Sequence, residues 1–386
     1  MNNVHSKIKA VDEMGARCIE IKSDKILAYS PTRAVTSTEL RYLPDIVKAG
    51  YNEIEFSSQI AELILDFRKK EDQTKILRSN EAFASKIRNL KSLALKVPQK
   101  LTIFRPAVRA WDKLSMEFIE ATIQNGIESE CDLVSVLDES PLMSSQEQEK
   151  LLLRAEKFAD SFSSVLGRKI ELMPSIRLNV DDVPTLNSRI KVIDDMGYEH
   201  LNVILASYSR FGRNYLEFRK KFNRHEFWIH ASESRRIWGR NEKRMSWMHI
   251  LQYFGMDTFA LQLPNHWAPR PPRTSVHDKP IPEVKVFDEN TIAIDGLAEF
   301  VGRYGERIKP SSPVFKGRNF YEFAPRMRRK KILDQACKID EVFSSCNQFV
   351  KSRESIRRNE SSDYIKSKER LDKAVRETIK NQKMLL

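Results

Sequence analysis

The chain of 386 residues carries 66 Lys and Arg against 53 Asp and Glu, a formal charge of +13, and is 41% hydrophobic. That apolar share suffices for a real core, the length suits one large domain with an appendage, and the basic excess favours a polyanionic partner such as nucleic acid. Four scattered cysteines (Cys18, Cys131, Cys337 and Cys346) exclude a disulfide framework, and no run approaches the roughly 20 apolar residues of a membrane span. The opening Met-Asn-Asn-Val-His-Ser-Lys has no apolar signal core, so a cytoplasmic protein with no membrane partner is expected.

Short β-rich runs alternate with helical patterns from about residue 25 to about residue 264. Strands are predicted at 25–29, 52–56, 100–104, 132–137, 170–176, 201–206, 226–230 and 258–263. Helices are predicted over 58–69, 114–125, 145–165, 182–195, 213–223 and 245–254. Two helical patterns, 38–50 and 246–255, end on Gly, the usual residue just past a helix. Strands alternating with helices imply parallel βαβ units. A doubly wound open sheet shares that local pattern, but a count of eight and the lack of a Gly-rich phosphate loop after the first strand favour a (β/α)₈ TIM barrel over residues 1–270.

A Pro-rich stretch leaves the last strand and opens a linker, 271–312, with a short β-like segment at 284–294. A basic helical C-terminal extension is expected over 313–386. Residues 301–386 hold 22 basic and 11 acidic side chains, so this extension is the electrostatic handle of the chain, unless it is simply a solubilising tail.

In a β/α barrel the chemistry sits at the C-terminal ends of the strands. Those ends offer Arg105, Asp138, Glu139, Arg177, His230, Glu233, Gln262 and His266, a mixture suited to an anionic or nucleotide-like ligand, with carboxylates available as acid, base or nucleophile. Asp138 and Glu139 are adjacent and would face opposite ways on a strand, so they cannot form a facing dyad, and Asp138 could equally cap a turn before Pro141. Cys337 and Cys346 lack any CxxC or HxxxH partner, so no metal is expected. Neither GxxxxGK[ST] nor GxGxxG occurs, and no cofactor is implied.

Basic side chains crowd two later connections, Arg210, Arg213, Lys220 and Lys221 in one and Arg235 and Arg236 in the next. Tyr208, Phe211, Tyr215, Trp228 and Trp238 are interleaved with them, a mixture that can pair phosphates with cations and stack bases on rings. Arg328, Arg329, Lys330 and Lys331 add a further basic cluster in the extension. An ordinary solvated helix face over core aromatics is the alternative.

Three segments carry a family resemblance. They are Ser115-Met-Glu-Phe-Ile-Glu-Ala-Thr-Ile-Gln124 followed by Cys131-Asp-Leu-Val-Ser-Val-Leu-Asp-Glu-Ser-Pro141, then Glu226-Phe-Trp-Ile-His-Ala-Ser-Glu233, then Gly255-Met-Asp-Thr-Phe-Ala-Leu-Gln-Leu-Pro264. Their order and spacing resemble the tRNA-guanine transglycosylase superfamily, whose (β/α)₈ barrels exchange guanine in a nucleic acid for a 7-deazaguanine. The resemblance implies that Asp138 recognises a base. It also shows departures. Ala260 stands where the family carries its nucleophilic Asp on a strand of the form G-x-D-x-F-D-x-x-x-P, Phe104-Arg-Pro-Ala-Val-Arg109 replaces Ser-Gly-Gly-Phe-Gln, and the CxCxxC zinc motif is absent. A covalent glycosyl intermediate needs a carboxylate that Ala260 cannot supply, which leaves Glu233 and Glu139 as the catalytic candidates.

Three functions follow as expectations. The first is a transglycosylase-like protein exchanging guanine for a 7-deazaguanine in tRNA or DNA. The second is a catalytically silent nucleic-acid-binding subunit of the same kind, acting as part of a homo- or heterodimer. The third is an unrelated barrel enzyme that uses Arg105, Arg177 and His230 on a small anionic metabolite.

Overall fold

The structure is a computed structural model describing residues 4–11, 17–30, 32–40, 59–95, 101–108, 114–136, 144–167, 169–177, 183–205, 227–234, 237–238, 245–246, 255–261, 285–288 and 293–296. Eight parallel strands close into a barrel. In chain order they are β4 (Thr32–Thr36), β5 (Ile60–Asp66), β6 (Leu101–Ala107), β7 (Leu133–Val136), β8 (Glu171–Arg177), β9 (His200–Ile204), β10 (Trp228–Ser234) and β13 (Thr258–Leu261). Helices run between several of them: α1 (Ser37–Leu40), α2 (Lys70–Arg78), α3 (Asn80–Leu95), α4 (Met116–Glu128), α5 (Ser145–Leu166) and α6 (Val183–Asp195). The architecture is the expected (β/α)₈ TIM barrel.

The first two barrel strands differ from their predicted positions. Residues 27–29, expected to open the barrel, instead form β3 (Leu27–Tyr29) of an antiparallel sheet with β1 (His5–Val11) and β2 (Arg17–Lys22). The segment 52–56 lies outside the described residues, and the second barrel strand is Ile60–Asp66, part of the predicted helix 58–69. Ile60-Ala-Glu-Leu-Ile-Leu reads locally as helix because Ala, Glu and Leu are good helix formers. Burial on both faces overrides that preference: every residue from Ile60 to Leu65 is buried, as in a strand walled by helices outside and packed barrel inside. Met245–Ser246, predicted to begin a helix, is the two-residue strand β12, which pairs with β11 (Ile237–Trp238) and with β15 (Ala293–Gly296). β15 in turn pairs with β14 (Lys285–Asp288), so the β-like segment of the linker forms an antiparallel pair within a four-stranded sheet. The helices predicted at 213–223 and the extension 313–386 lie outside the described residues.

Two apolar cores follow from the alternation of side chains along the strands. Outward residues such as Ala61, Leu63, Phe104, Val134 and Val203 pack under the helices. Inward residues Ile60, Leu101, Ile103, Leu133, Met173 and Trp228 fill the lower barrel together with Ile19, Ile21, Ile26 and Ala28 of the small sheet, and Ala260 of β13 joins the same apolar cluster. That sheet leads directly into β4 and therefore closes the N-terminal end of the barrel. A buried bidentate pair straps it in place. Arg17 Nε donates to Asp257 Oδ1 at 2.9 Å and its Nη2 to Oδ2 at 2.6 Å, while the Ile229 amide donates to the same Oδ2 at 2.7 Å. Burial pushes the Asp257 carboxyl up, and Arg17 opposes that shift.

The helix ends are fixed by local chemistry. Ser115 caps α4, accepting from the Phe118 amide, and Ser144 with Glu147 forms a capping box on α5, which stops at the left-handed Gly167. Gly126 lets α4 approach the barrel wall: a Cβ there would meet Phe104 Cδ1 at 2.6 Å and Val134 at 3.0 Å. Gly126→Ala gains about 1 kcal/mol of helix propensity, but overpacking costs about 1–3 kcal/mol. Net destabilisation, read as a lower urea midpoint at unchanged slope, is expected. A raised midpoint would show that the contact yields.

Candidate functional site in the barrel interior

Above the apolar floor, the interior becomes polar. Thr36 (β4), Glu62 (β5), Arg105 (β6), Ser135 (β7), Ser175 (β8), Asn202 (β9), His230 and Ser232 (β10) and Thr258 (β13) are all buried, so all eight strands contribute. Each occupies an inward position by the strand period, and β6 places Arg105 opposite Ile64, one pleat nearer the mouth than Glu62, which faces Ile103.

Glu62 is the centre. Its Oε1 accepts from Arg105 Nε in an ion pair and from the Ser232 hydroxyl at 2.7 Å, and lies 3.8 Å from His230 Nε2. Its Oε2 has no hydrogen-bond partner among the described residues. Burial alone would push this carboxyl up, but Arg105, His230 and Ser232 outweigh it and hold it at about 2. Glu62 is thus an anion throughout the neutral range.

The hydroxyls and amides around it form a chain. Ser232 lies 2.7 Å from Glu62 Oε1 and 2.6 Å from Asn202 Oδ1, but a hydroxyl has one proton for these two acceptors. Turning the Asn202 amide so that Nδ2 faces Ser232 satisfies the count: Asn202 then donates to Ser232, Ser232 donates to Glu62, and Asn202 Oδ1 accepts from the Ser135–Ser175 hydroxyl pair. On the other side, Trp228 Nε1 donates to Thr258 Oγ1 at 2.9 Å, and Thr258 Oγ1 lies 2.7 Å from His230 Nδ1. The other ring nitrogen, Nε2, faces Glu62 and has no hydrogen-bond partner among the described residues. Glu62 Oε2 and His230 Nε2 are therefore two polar atoms without hydrogen-bond partners in one interior.

Of the residues singled out from sequence, the structure brings Arg105 and His230 into this cluster. It places Arg177 at the end of β8, donating to the Val108 carbonyl at 3.4 Å. Glu233 lies on β10, and its side chain is outside the described residues. Asp138, Glu139, Gln262, His266, Arg210, Arg213, Lys220, Lys221, Arg235, Arg236, Arg328, Arg329, Lys330 and Lys331 also lie outside them. Ala260, at the position that the resemblance aligns with the nucleophile, is fully buried on the inward face of β13, one pleat nearer the mouth than Thr258. Sequence reasoning missed Glu62, Asn202 and the Ser135–Ser175 pair. The available signal was a single carboxylate inside an otherwise apolar run of strand length.

The described residues contain no helix long and apolar enough to cross a membrane. Neither a family model nor a curated relative matches the chain. Among solved structures, it is similar to a lyase/mutase candidate from Burkholderia cenocepacia J2315, at 10% identity and a TM-score of 0.36 over 60% of this chain and 77% of that one. It is also similar to 3-dehydroquinate dehydratase from Geobacillus kaustophilus HTA426, at 14% identity and a TM-score of 0.35 over 62% of this chain and 86% of that one. A third is GGGPS from Thermoplasma volcanium, at 10% identity and a TM-score of 0.26 over 57% of this chain and 88% of that one. Likeness this distant says nothing of what the chain binds.

Proposed function

We propose that this chain is a nucleic-acid guanine transglycosylase-like barrel that takes a guanine or 7-deazaguanine base of tRNA or DNA into the mouth above Glu62, Arg105 and His230. The observation that carries the reading is the buried polar tier. The floor of the same barrel is filled with apolar side chains, and replacing buried ionic groups by apolar ones is often neutral or stabilising. A charged tier maintained above such a floor is better explained by a ligand than by folding.

Guanine suits the groups present. Its O6 edge accepts from a guanidinium such as Arg105, and its ring N–H donates to a carboxylate such as Glu62. The base would have to be flipped out or already single-stranded. Asp138, two residues beyond β7 in the sequence, would join as a base reader by the family resemblance, and the basic clusters at 210–236 and 328–331 would hold phosphates. Chemistry at position 260 has no oxygen to work with, so exchange would depend on another carboxylate: Glu233 and Glu139 from the strand ends, or Glu62.

The test is incubation with labelled guanine and either tRNA or DNA. Incorporation that is lost in Asp138→Asn, with the fold intact by circular dichroism, is expected. Binding without incorporation would assign the chain to the silent-subunit class. Absence of both would favour the second reading, a barrel acting on a small anionic metabolite, which the interior placement of Arg105 and the position of Arg177 at its rim specifically support.

A further inference from the structure

Most side-chain hydrogen bonds in proteins go to backbone or water rather than to other side chains. The interior tier departs from that rule. Ser135 and Ser175 pair hydroxyl to hydroxyl at 2.6 Å, and the Asn202 amide lies 3.1 and 3.2 Å from them. Ser232 in turn lies 2.6 Å from that amide and 2.7 Å from Glu62 Oε1. Four neighbouring strands, β7 to β10, thus pass a chain of side-chain hydrogen bonds across the barrel to β5, and every member of it is buried. Its direction follows from the proton count: Asn202 donates to Ser232, and Ser232 donates to Glu62. The one charged group in the chain is its end point, Glu62.

Such a chain fixes a carboxylate in two respects. It sets the orientation of the group, because Oε1 is held between Arg105 Nε on β6 and the Ser232 hydroxyl on β10, strands on different sides of the barrel. It also favours the anion, since a donated hydrogen bond stabilises the charged form: against the upward push of burial, Arg105, His230 and Ser232 together hold Glu62 at about 2. We infer that Ser232 is a positioning residue for the base site: acting through Glu62 and backed by Asn202, it fixes which oxygen the carboxylate commits to the protein. With Oε1 committed, Oε2 is the oxygen left for a guanine N–H. This role rests on the guanine reading, and Ser232 itself makes no contact with the base.

Equilibrium binding of the full chain to a thymidine oligonucleotide carrying one guanine, compared with one abasic at the same position, tests it. Wild type is expected to prefer the guanine oligonucleotide roughly tenfold. Ser232→Ala should cut that preference to about twofold, through loss of one hydrogen bond to a buried anion, while the salt dependence imposed by phosphates stays unchanged. Ser232→Thr keeps the hydroxyl and should retain most of the preference. Ser232→Val has the same shape without the hydroxyl and should lose it as Ser232→Ala does. Asn202→Ala cuts the chain one step earlier and should lower the preference in the same direction, which keeps a readout if a Ser232 variant folds poorly. A wild type with no guanine preference overturns the base-site reading and this role with it. A wild-type preference that Ser232→Ala and Asn202→Ala both leave intact overturns the positioning role alone, as does equal behaviour of Ser232→Thr and Ser232→Val.

Discussion

Glu62→Ala should lower the stability of the chain by about 3–5 kcal/mol, because it leaves Arg105 as a buried charge without its carboxylate. The same change removes the acceptor for Ser232, so the strand-to-strand chain through Asn202 loses its end point. The effect depends on pH in a defined direction. The folded carboxyl is held at about 2, below its ordinary 4.5. A depressed carboxyl contributes stability that is fully present above the unfolded value and is lost as pH falls through the folded one. The shift is worth about 3 kcal/mol. Urea midpoints of wild type and Glu62→Ala should therefore be far apart at pH 7 and converge between about pH 4.5 and pH 2. A gap that persists unchanged at low pH would remove the ion pair as its cause. The paired replacement Glu62→Leu with Arg105→Met should recover most of the stability or exceed wild type. That result would separate the requirement for folding from the requirement for binding, since the apolar pair would offer a base neither the guanidinium nor the carboxylate.

Arg17→Leu is expected to cost about 3–5 kcal/mol as well, at the other end of the barrel. Asp257 would keep the Ile229 amide but lose both guanidinium hydrogen bonds, and the small sheet would lose its strap to the start of β13. The pH signature has the opposite sign to that of Glu62. Burial already pushes the Asp257 carboxyl up, and without Arg17 it rises further. A raised carboxyl contributes stability below its unfolded value, lost as pH rises through its folded one. The deficit of Arg17→Leu should therefore shrink on acidification because the variant recovers, whereas the Glu62→Ala gap closes because the wild type weakens. A deficit that grows with acid would show that Asp257 stays ionised without its partner.

The sequence made the eight-unit barrel legible because its later strands are bounded by turn residues and followed by well-capped helices. Ser115 before α4 and the Ser144–Glu147 box before α5 are local signals that the structure uses as written. The first two strands were hidden for different reasons. Leu27–Tyr29 has strand character, but its place in an antiparallel sheet beneath the barrel depends on long-range pairing with β2. Ile60–Asp66 carries helix-forming residues, and only burial on both faces makes it a strand. That one misassigned element also concealed Glu62, which a helix would have set on a solvated face and the strand turns into the barrel. Arg105 and His230 were found because their strands were found. Their convergence on a shared carboxylate was not readable, since 43 residues separate Glu62 from Arg105 and 170 separate it from Ser232.

Equilibrium binding of a guanine-bearing single-stranded oligonucleotide, compared with an otherwise identical abasic one across a salt series, tests the proposed base-binding mouth most directly. Both should weaken steeply with salt, because phosphates are neutralised by the basic segments. The guanine should add affinity on top, roughly tenfold for about 1.4 kcal/mol of base recognition, and Arg105→Met should erase that increment while leaving the salt slope unchanged. Equal affinity for the two oligonucleotides, or an increment that survives Arg105→Met, would contradict a guanine site built on Glu62, Arg105 and His230.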